Sequence, residues 1–154
     1  METILALLTA KDTKEALNKF KELEEQCLSE PLYAEHLELF LPALTAERAC
    51  GRGRTFKFFM INARWDSQKI IETHLAEILA VLDDPKAPIV RQCIPYLIYL
   101  AEAKPELIPM IQEKLTALDL SQYKGSMQSL IKRDVDSLLA VSYTHLTLPT
   151  NSLV

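Results

Sequence analysis

The sequence predicts an all-α domain of about four antiparallel helical hairpins. Apolar residues recur at helical spacing from residue 11 to residue 140, and no long stretch alternates with period two. The breaks between the stripes are short and carry turn or cap residues. Only three of the 154 residues are glycine, and Leu, Ala, Glu and Lys dominate, a bias toward helix over strand.

Taken in order, Ala16, Phe20, Leu23 and Cys27 mark the first long stripe, followed by a break at Ser29-Glu30-Pro31. Tyr33, Leu37, Phe40 with Leu41, and Leu44 mark the second. Phe56, Phe59 with Met60, and Ala63 form the third, ending in the step Trp65-Asp66-Ser67, where Asp66 is placed to cap a helix beginning near Gln68. Ile71, Leu75, Ile78 with Leu79, and Leu82 lead to the turn Asp83-Asp84-Pro85. Val90, Cys93 with Ile94, Leu97 and Ala101 follow, and Pro95 within that stripe predicts a kink, because its nitrogen cannot bond the carbonyl of Arg91. After Lys104-Pro105 come Leu107, Met110 with Ile111, and Leu115. Leu130, Val135 and Leu138 with Leu139 close the series. The hairpins are expected over residues 1–29, 33–64, 68–103 and 105–140, with short loops joining antiparallel neighbours.

Three segments look alike. Residues 81–91, Val-Leu-Asp-Asp-Pro-Lys-Ala-Pro-Ile-Val-Arg, read as a helix end, an Asp/Pro turn and a second helix opening with Val-Arg. Residues 41–54 resemble it, with a proline in the first helix that residues 107–111 repeat, and Arg52 or Arg54 precedes Arg91 by 39 or 37 positions. This pattern resembles the HEAT-like repeats, and the likeness implies a solenoid of stacked hairpins over residues 1–140. The Asn-Ala-Arg-Trp-Asp step and the Arg-Gln-Cys-Ile helix resemble small bacterial HEAT-like proteins of undefined role, some labelled after iron–sulfur assembly scaffolds. Such a label implies a β-rich fold and metal chemistry, which this pattern does not support.

Residues 141–150, Val-Ser-Tyr-Thr-His-Leu-Thr-Leu-Pro-Thr, resemble in one reading frame the translation of a transposase adapter used to prepare sequencing libraries. The segment holds no Asp, Glu, Lys or Arg. Residues 141–154 are therefore expected to be adapter read-through appended to a domain of residues 1–140, cut short at its C-terminus.

The net charge of −4 is uneven. Residues 1–44 carry five more acids than bases, and residues 45–70 carry four more bases than acids, so a basic island sits in an acidic chain. Arg48, Arg52, Arg54, Lys57, Arg64 and Lys69 form this candidate binding surface, for phosphates or an acidic partner. The competing reading makes them a solvated face with arginines that tie repeats together. Asp83, Asp84 and Arg91 are assigned to a structural ladder in which turn aspartates hold arginines and helix N-termini. Gly51 and Gly53 weaken the helix that carries the island and point to close helix packing.

No catalytic set emerges. Cys27, Cys50 and Cys93 are odd in number and far apart, without a Cys-x-x-Cys pair, and read as buried thiols of a reducing compartment. His36 and His74 are isolated, and no metal or cofactor is expected. Glu22, Glu24 and Glu25 read as a solvated face. Trp65 with Asp66 invites comparison with the HEAT-like alkylpurine DNA glycosylases, which set a Trp, a catalytic Asp and an Arg on one face. Four residues after Trp65 stands Lys69, so the carboxylate that would stabilise a cationic sugar is missing, and Trp65 reads as an apolar plug between hairpins. The N-terminus lacks the basic region of a signal peptide, and the most apolar stretch, residues 94–101, is too short to span a bilayer. The expectation is a cytoplasmic, non-enzymatic interaction or scaffold module with a protein partner and no membrane contact. The alternative is nucleic-acid binding through residues 48–69.

Overall fold

In the computed structural model, which describes residues 1–142, nine α-helices are joined by short 3-10 turns, with no strand among the described residues. Helix α1 (Glu2–Thr9) is followed by α2 (Lys14–Ser29), which Thr13 opens by accepting the Ala16 amide at 3.0 Å. Residues Ala34–Thr45 form a 3-10 segment instead of the expected α-helix, interrupted at His36 (φ −126°) and carrying Pro42. Proline removes one donor inside this segment, and the tighter winding follows.

Helix α3 (Ala49–Asn62) lies at the centre. Ten of its 14 residues are buried, including Phe56, Phe58, Phe59, Met60 and Ile61, and a helix buried over most of its surface must be surrounded. It packs against α1, α2 and the Ala34–Thr45 segment, and beyond them against α6 (Ala87–Cys93) and α7 (Leu97–Ala103). Tyr33, Phe40 and Phe58 meet ring to ring here, with Phe40 and Phe58 centroids 4.7 Å apart. Truncating one of these phenylalanines would cost about 3–5 kcal/mol.

The third stretch is more broken than its periodicity suggests. Helices α4 (Ile70–Thr73) and α5 (Leu75–Leu79) are separated at His74, and a 3-10 turn Ala80–Asp83 leads into the Asp84-Pro85 corner. Asp66 caps as expected but two residues later than Gln68, its carboxylate accepting the Ile70 and Ile71 amides at 3.1 and 2.9 Å. Lys69, just before α4, is left-handed at φ 58°. At Pro95 the α-helix gives way to a 3-10 turn over Ile94–Tyr96 before α7 resumes. Helices α8 (Ile108–Thr116) and α9 (Gly125–Ser142) complete the described chain.

Side by side, α2, α3, α6 with α7, and α9 form one row, each touching the next. Across from them, α1, the Ala34–Thr45 segment and α5 follow one another in a second row. The core between the rows follows the sequence stripes closely, with two shifts of register: Ile131 is buried where Leu130 was expected, and Met110 is 53% exposed while Ile111 is buried. Helix α9 continues through Ser142, past the expected domain boundary at residue 140; residues 143–154 of the expected read-through lie outside the described residues. No helix among the described residues is long and apolar enough to cross a membrane.

Candidate functional site

The basic island divides into two sets with different surroundings. Arg54, expected on a surface, is 3% exposed. Its Nη1 donates to the carbonyls of Leu7 at 3.0 Å and Leu8 at 3.3 Å and also to that of Ala10, while Nη2 meets the Asp12 carboxylate. The guanidinium thus closes the C-terminal end of α1, satisfying carbonyls that a helix end leaves without partners. Its position on the face of α3 that packs on α1 explains why it cannot serve as an exposed contact. Arg48, at the N-terminal end of α3, is exposed and donates to the Thr9 carbonyl at 3.3 Å.

Arg52 makes a forked pair with Asp84, Nε to Oδ2 at 2.6 Å and Nη2 to Oδ1 at 3.2 Å, and its Nη1 reaches the Ala46 and Glu47 carbonyls. The carboxylate raises the pKa of Arg52 further, outweighing burial. Asp84 also accepts the Lys86 amide at 2.9 Å, and its carbonyl takes the Tyr123 hydroxyl. One turn residue therefore ties together three of the stretches expected as hairpins. The ladder is wired differently from the expectation around Arg91. Arg91 forks onto Asp134 of α9 at 2.7 and 3.3 Å, and Asp83 pairs with Lys114 at 2.5 Å. The turn aspartates thus point away from Arg91 toward other helices.

A further buried junction escaped the sequence reading. Lys104, 6% exposed, reaches the Asp66 carboxylate and carbonyl, each at 3.1 Å, and also bonds Glu72. Trp65 donates its indole N–H to the Cys27 carbonyl at 2.6 Å, locking the end of α3 to the end of α2.

Lys57 and Arg64 form the second set. Lys57 lies on α3 and Arg64 seven residues later in the 3-10 turn Ala63–Trp65 that ends it, and both lie against tyrosines of the following stretch. The Lys57 amine bonds Gln92 Oε1 at 3.0 Å and stands 5.4 Å from the centre of the Tyr96 ring. The exposed Arg64 guanidinium stands 6.0 Å from the Tyr99 ring and donates to the Leu28 carbonyl at 3.1 Å. Tyr96 and Tyr99 lie 5.7 Å apart, tilted by 59°. Glu24 of α2 accepts the Tyr96 hydroxyl from the other side of α3. Burial lowers the Lys57 amine, opposed by nearby groups that include Glu24 and Asp12. Burial, and then the facing Glu24, push the Tyr96 phenol well up, so it remains a hydrogen-bond donor across the biological range. Each cation placed on a ring face contributes on the order of 0.5–2 kcal/mol.

In the strip of Lys57, Tyr96, Tyr99 and Arg64 the first three are half-buried and Arg64 is exposed, and the strip is built from α3, the 3-10 turn that ends it, the Ile94–Tyr96 turn and α7. Glu24, expected on a solvated face, is half-buried and accepts the Tyr96 hydroxyl, and Gln92, Tyr96 and Tyr99 were not singled out by sequence. Their i, i+3 and i+4 spacing on the Gln92–Tyr99 stretch was a signal, but it lay beside the stronger apolar stripe. Lys69 is exposed in the turn before α4.

Cys27 and Cys93 are buried, and burial pushes their thiols up to about 11 and about 12; Cys50 is half-buried. No cluster of three or more metal-binding side chains occurs among the described residues. Compared with protein-family models, curated proteins and solved structures, the chain matches none.

Proposed function

We propose that this chain is a HEAT-like helical-repeat protein acting as a non-enzymatic interaction or scaffold module, with another protein as its partner. The carrying observation is the cation–aromatic strip of Lys57, Tyr96, Tyr99 and Arg64 on the row of second helices. Arg48, Arg52 and Arg54 of the island are engaged with carbonyls or carboxylates of neighbouring stretches, whereas these are presented at the rim of a row. Amphipathic rings fixed between cations provide contact area at low conformational-entropy cost.

Two further features support the reading. The row α2, α3, α6 with α7, and α9, faced by a second row, is the arrangement a stack of about four hairpins would give. Residues 1–140 would make up the stack, and the adapter resemblance marks the residues beyond as read-through. Unpaired cysteines at 27, 50 and 93 fit a reducing cytoplasm. The alternative of nucleic-acid binding through residues 48–69 is weakened, because Arg52 and Arg54 are already held by Asp84 and Asp12. Few cations then remain for phosphate contacts.

Photo-crosslinking in cells of the source tests this. A crosslinking residue in place of Tyr99 should capture a discrete protein, and the same residue in place of exposed Leu39, on the opposite row, should not. Equal labelling from both positions would remove the support for this face.

A further inference from the structure

Glu24 and Tyr96 are 72 residues apart, and their bond joins two stretches that α3 separates. In a stack, a helix is held mainly by its immediate neighbours. Side chains from α2 and from the Ile94–Tyr96 turn nevertheless meet over α3, and they do so beside Lys57. The carboxylate faces a phenol donor, with the field of the Lys57 amine nearby, and that amine donates to the side-chain oxygen of Gln92. A phenol O–H beside an ammonium is a carboxylate receptor.

We propose that the corner formed by Lys57, Tyr96 and Gln92, with Arg64 over Tyr99 beside it, receives the carboxylates of an acidic protein segment, and that Glu24 occupies it as an internal stand-in. This rests on the interaction-surface reading and names the partner's chemistry. Lys57 on α3 and Arg64 in the 3-10 turn just past its end are seven residues apart, roughly 10 Å of helical rise, so the two cations suit carboxylates about two turns apart on a helical partner. Arg64 is exposed, with one guanidinium nitrogen directed to a backbone carbonyl and its plane near a ring, and it offers the second contact. A nucleic-acid strand fits less well. The cations Lys57 and Arg64 already lie over the two rings, so bases would have to displace them before stacking. A carboxylate needs only to replace Glu24, a group of its own kind.

The test is a fluorescence-anisotropy titration with a short labelled polyglutamate peptide, run beside labelled oligothymidylate. Glu24→Ala should bind polyglutamate roughly tenfold more tightly than the unaltered chain, the low end of what one charge-assisted hydrogen bond is worth. Glu24→Gln keeps a neutral acceptor for Tyr96 and should give a smaller gain, which keeps the test valid if Glu24→Ala fails to fold. Adding Tyr96→Phe or Lys57→Met to Glu24→Ala should erase the gain, with circular dichroism showing that helix content is retained. The proposal is overturned if both Glu24 variants bind no more tightly than the unaltered chain, if the gain survives both second substitutions, or if oligothymidylate binds more tightly than polyglutamate. Crosslinks that persist from position 99 alongside any of these results would leave the interaction reading standing while the carboxylate assignment falls.

Discussion

Replacing Asp66 with alanine removes a carboxylate whose side chain is wholly buried and which holds three partners at once. Two are the backbone amides of Ile70 and Ile71, and the third is the Lys104 ammonium. Hydrogen bonds to a charged acceptor contribute about 1.5–3 kcal/mol each, and a buried partner left behind adds its own desolvation penalty. Lys104 keeps Glu72 and the Asp66 carbonyl, which limits that penalty. The expected loss for Asp66→Ala is therefore about 3–5 kcal/mol. Lys104→Met should lose less, because Asp66 retains both amides and the methionine fills the apolar path of the lysine stem. Urea denaturation of the two single variants and the double variant provides the assay, and the coupling energy should exceed about 1 kcal/mol. A loss below about 1 kcal/mol for Asp66→Ala would refute the reasoning, since an exposed cap alone can account for that much.

Further outcomes follow from the same structure. Gly51→Ala should destabilise by about 1 kcal/mol or more, since the added carbon would meet the Leu8 oxygen and Thr9 Cα at 3.3 Å, both backbone atoms that cannot turn aside. Gly53→Ala, meeting only the Ile89 side chain at 3.2 Å, should be near neutral or slightly stabilising in the same melts, because gained helix propensity offsets a small shift. A double-mutant cycle on Arg52 and Asp84 should give a coupling of about 1–3 kcal/mol, larger than that of the more exposed Arg91 and Asp134 pair. Timed alkylation with mass spectrometry should modify Cys50 before Cys27 and Cys93. The two buried thiols have pKa values raised from 9.0 to about 11 and about 12, so the folded state holds their protons more tightly than the unfolded state. Their contribution is complete below pH about 9 and falls as pH rises through 11 to 12, so stability measured by melting should decline on the alkaline side.

Much of the helical pattern was legible because burial obeys the helical period. The stripe Ala16, Phe20, Leu23 and Cys27 is buried as read, and the breaks at Pro31, Ser67, Pro85 and Pro105 fall between elements. Periodicity does not distinguish a 3-10 segment from an α-helix over a dozen residues, so the stripe over Ala34–Thr45 fits either, and the break at His36 leaves no trace in it. The polar network was less legible. Arg91 could be assigned to a ladder, but Asp134, 43 residues away, could not be chosen over Asp83 or Asp84 from sequence. Arg54 carries the same charge as Arg48 and Arg52, yet it alone of the three is buried, because its face of α3 lies on α1. Spacing within one helix says nothing about which neighbour covers each side. The Glu24 and Tyr96 bond crosses an intervening helix, and no local pattern encodes it.

The basic island divides into arginines that hold the fold, Arg52 and Arg54, and cations presented at its surface, Lys57 and Arg64. The urea unfolding midpoint of Arg54→Met, set beside that of Arg64→Met, tests this division directly. Arg54→Met strips the end of α1 of its donors and frees Asp12, and it should lose about 2–4 kcal/mol. Arg64→Met should lose less than about 1 kcal/mol, as exposed cations do. Equal losses, or a larger loss at Arg64, would contradict the division and return all six basic residues to a single undifferentiated surface.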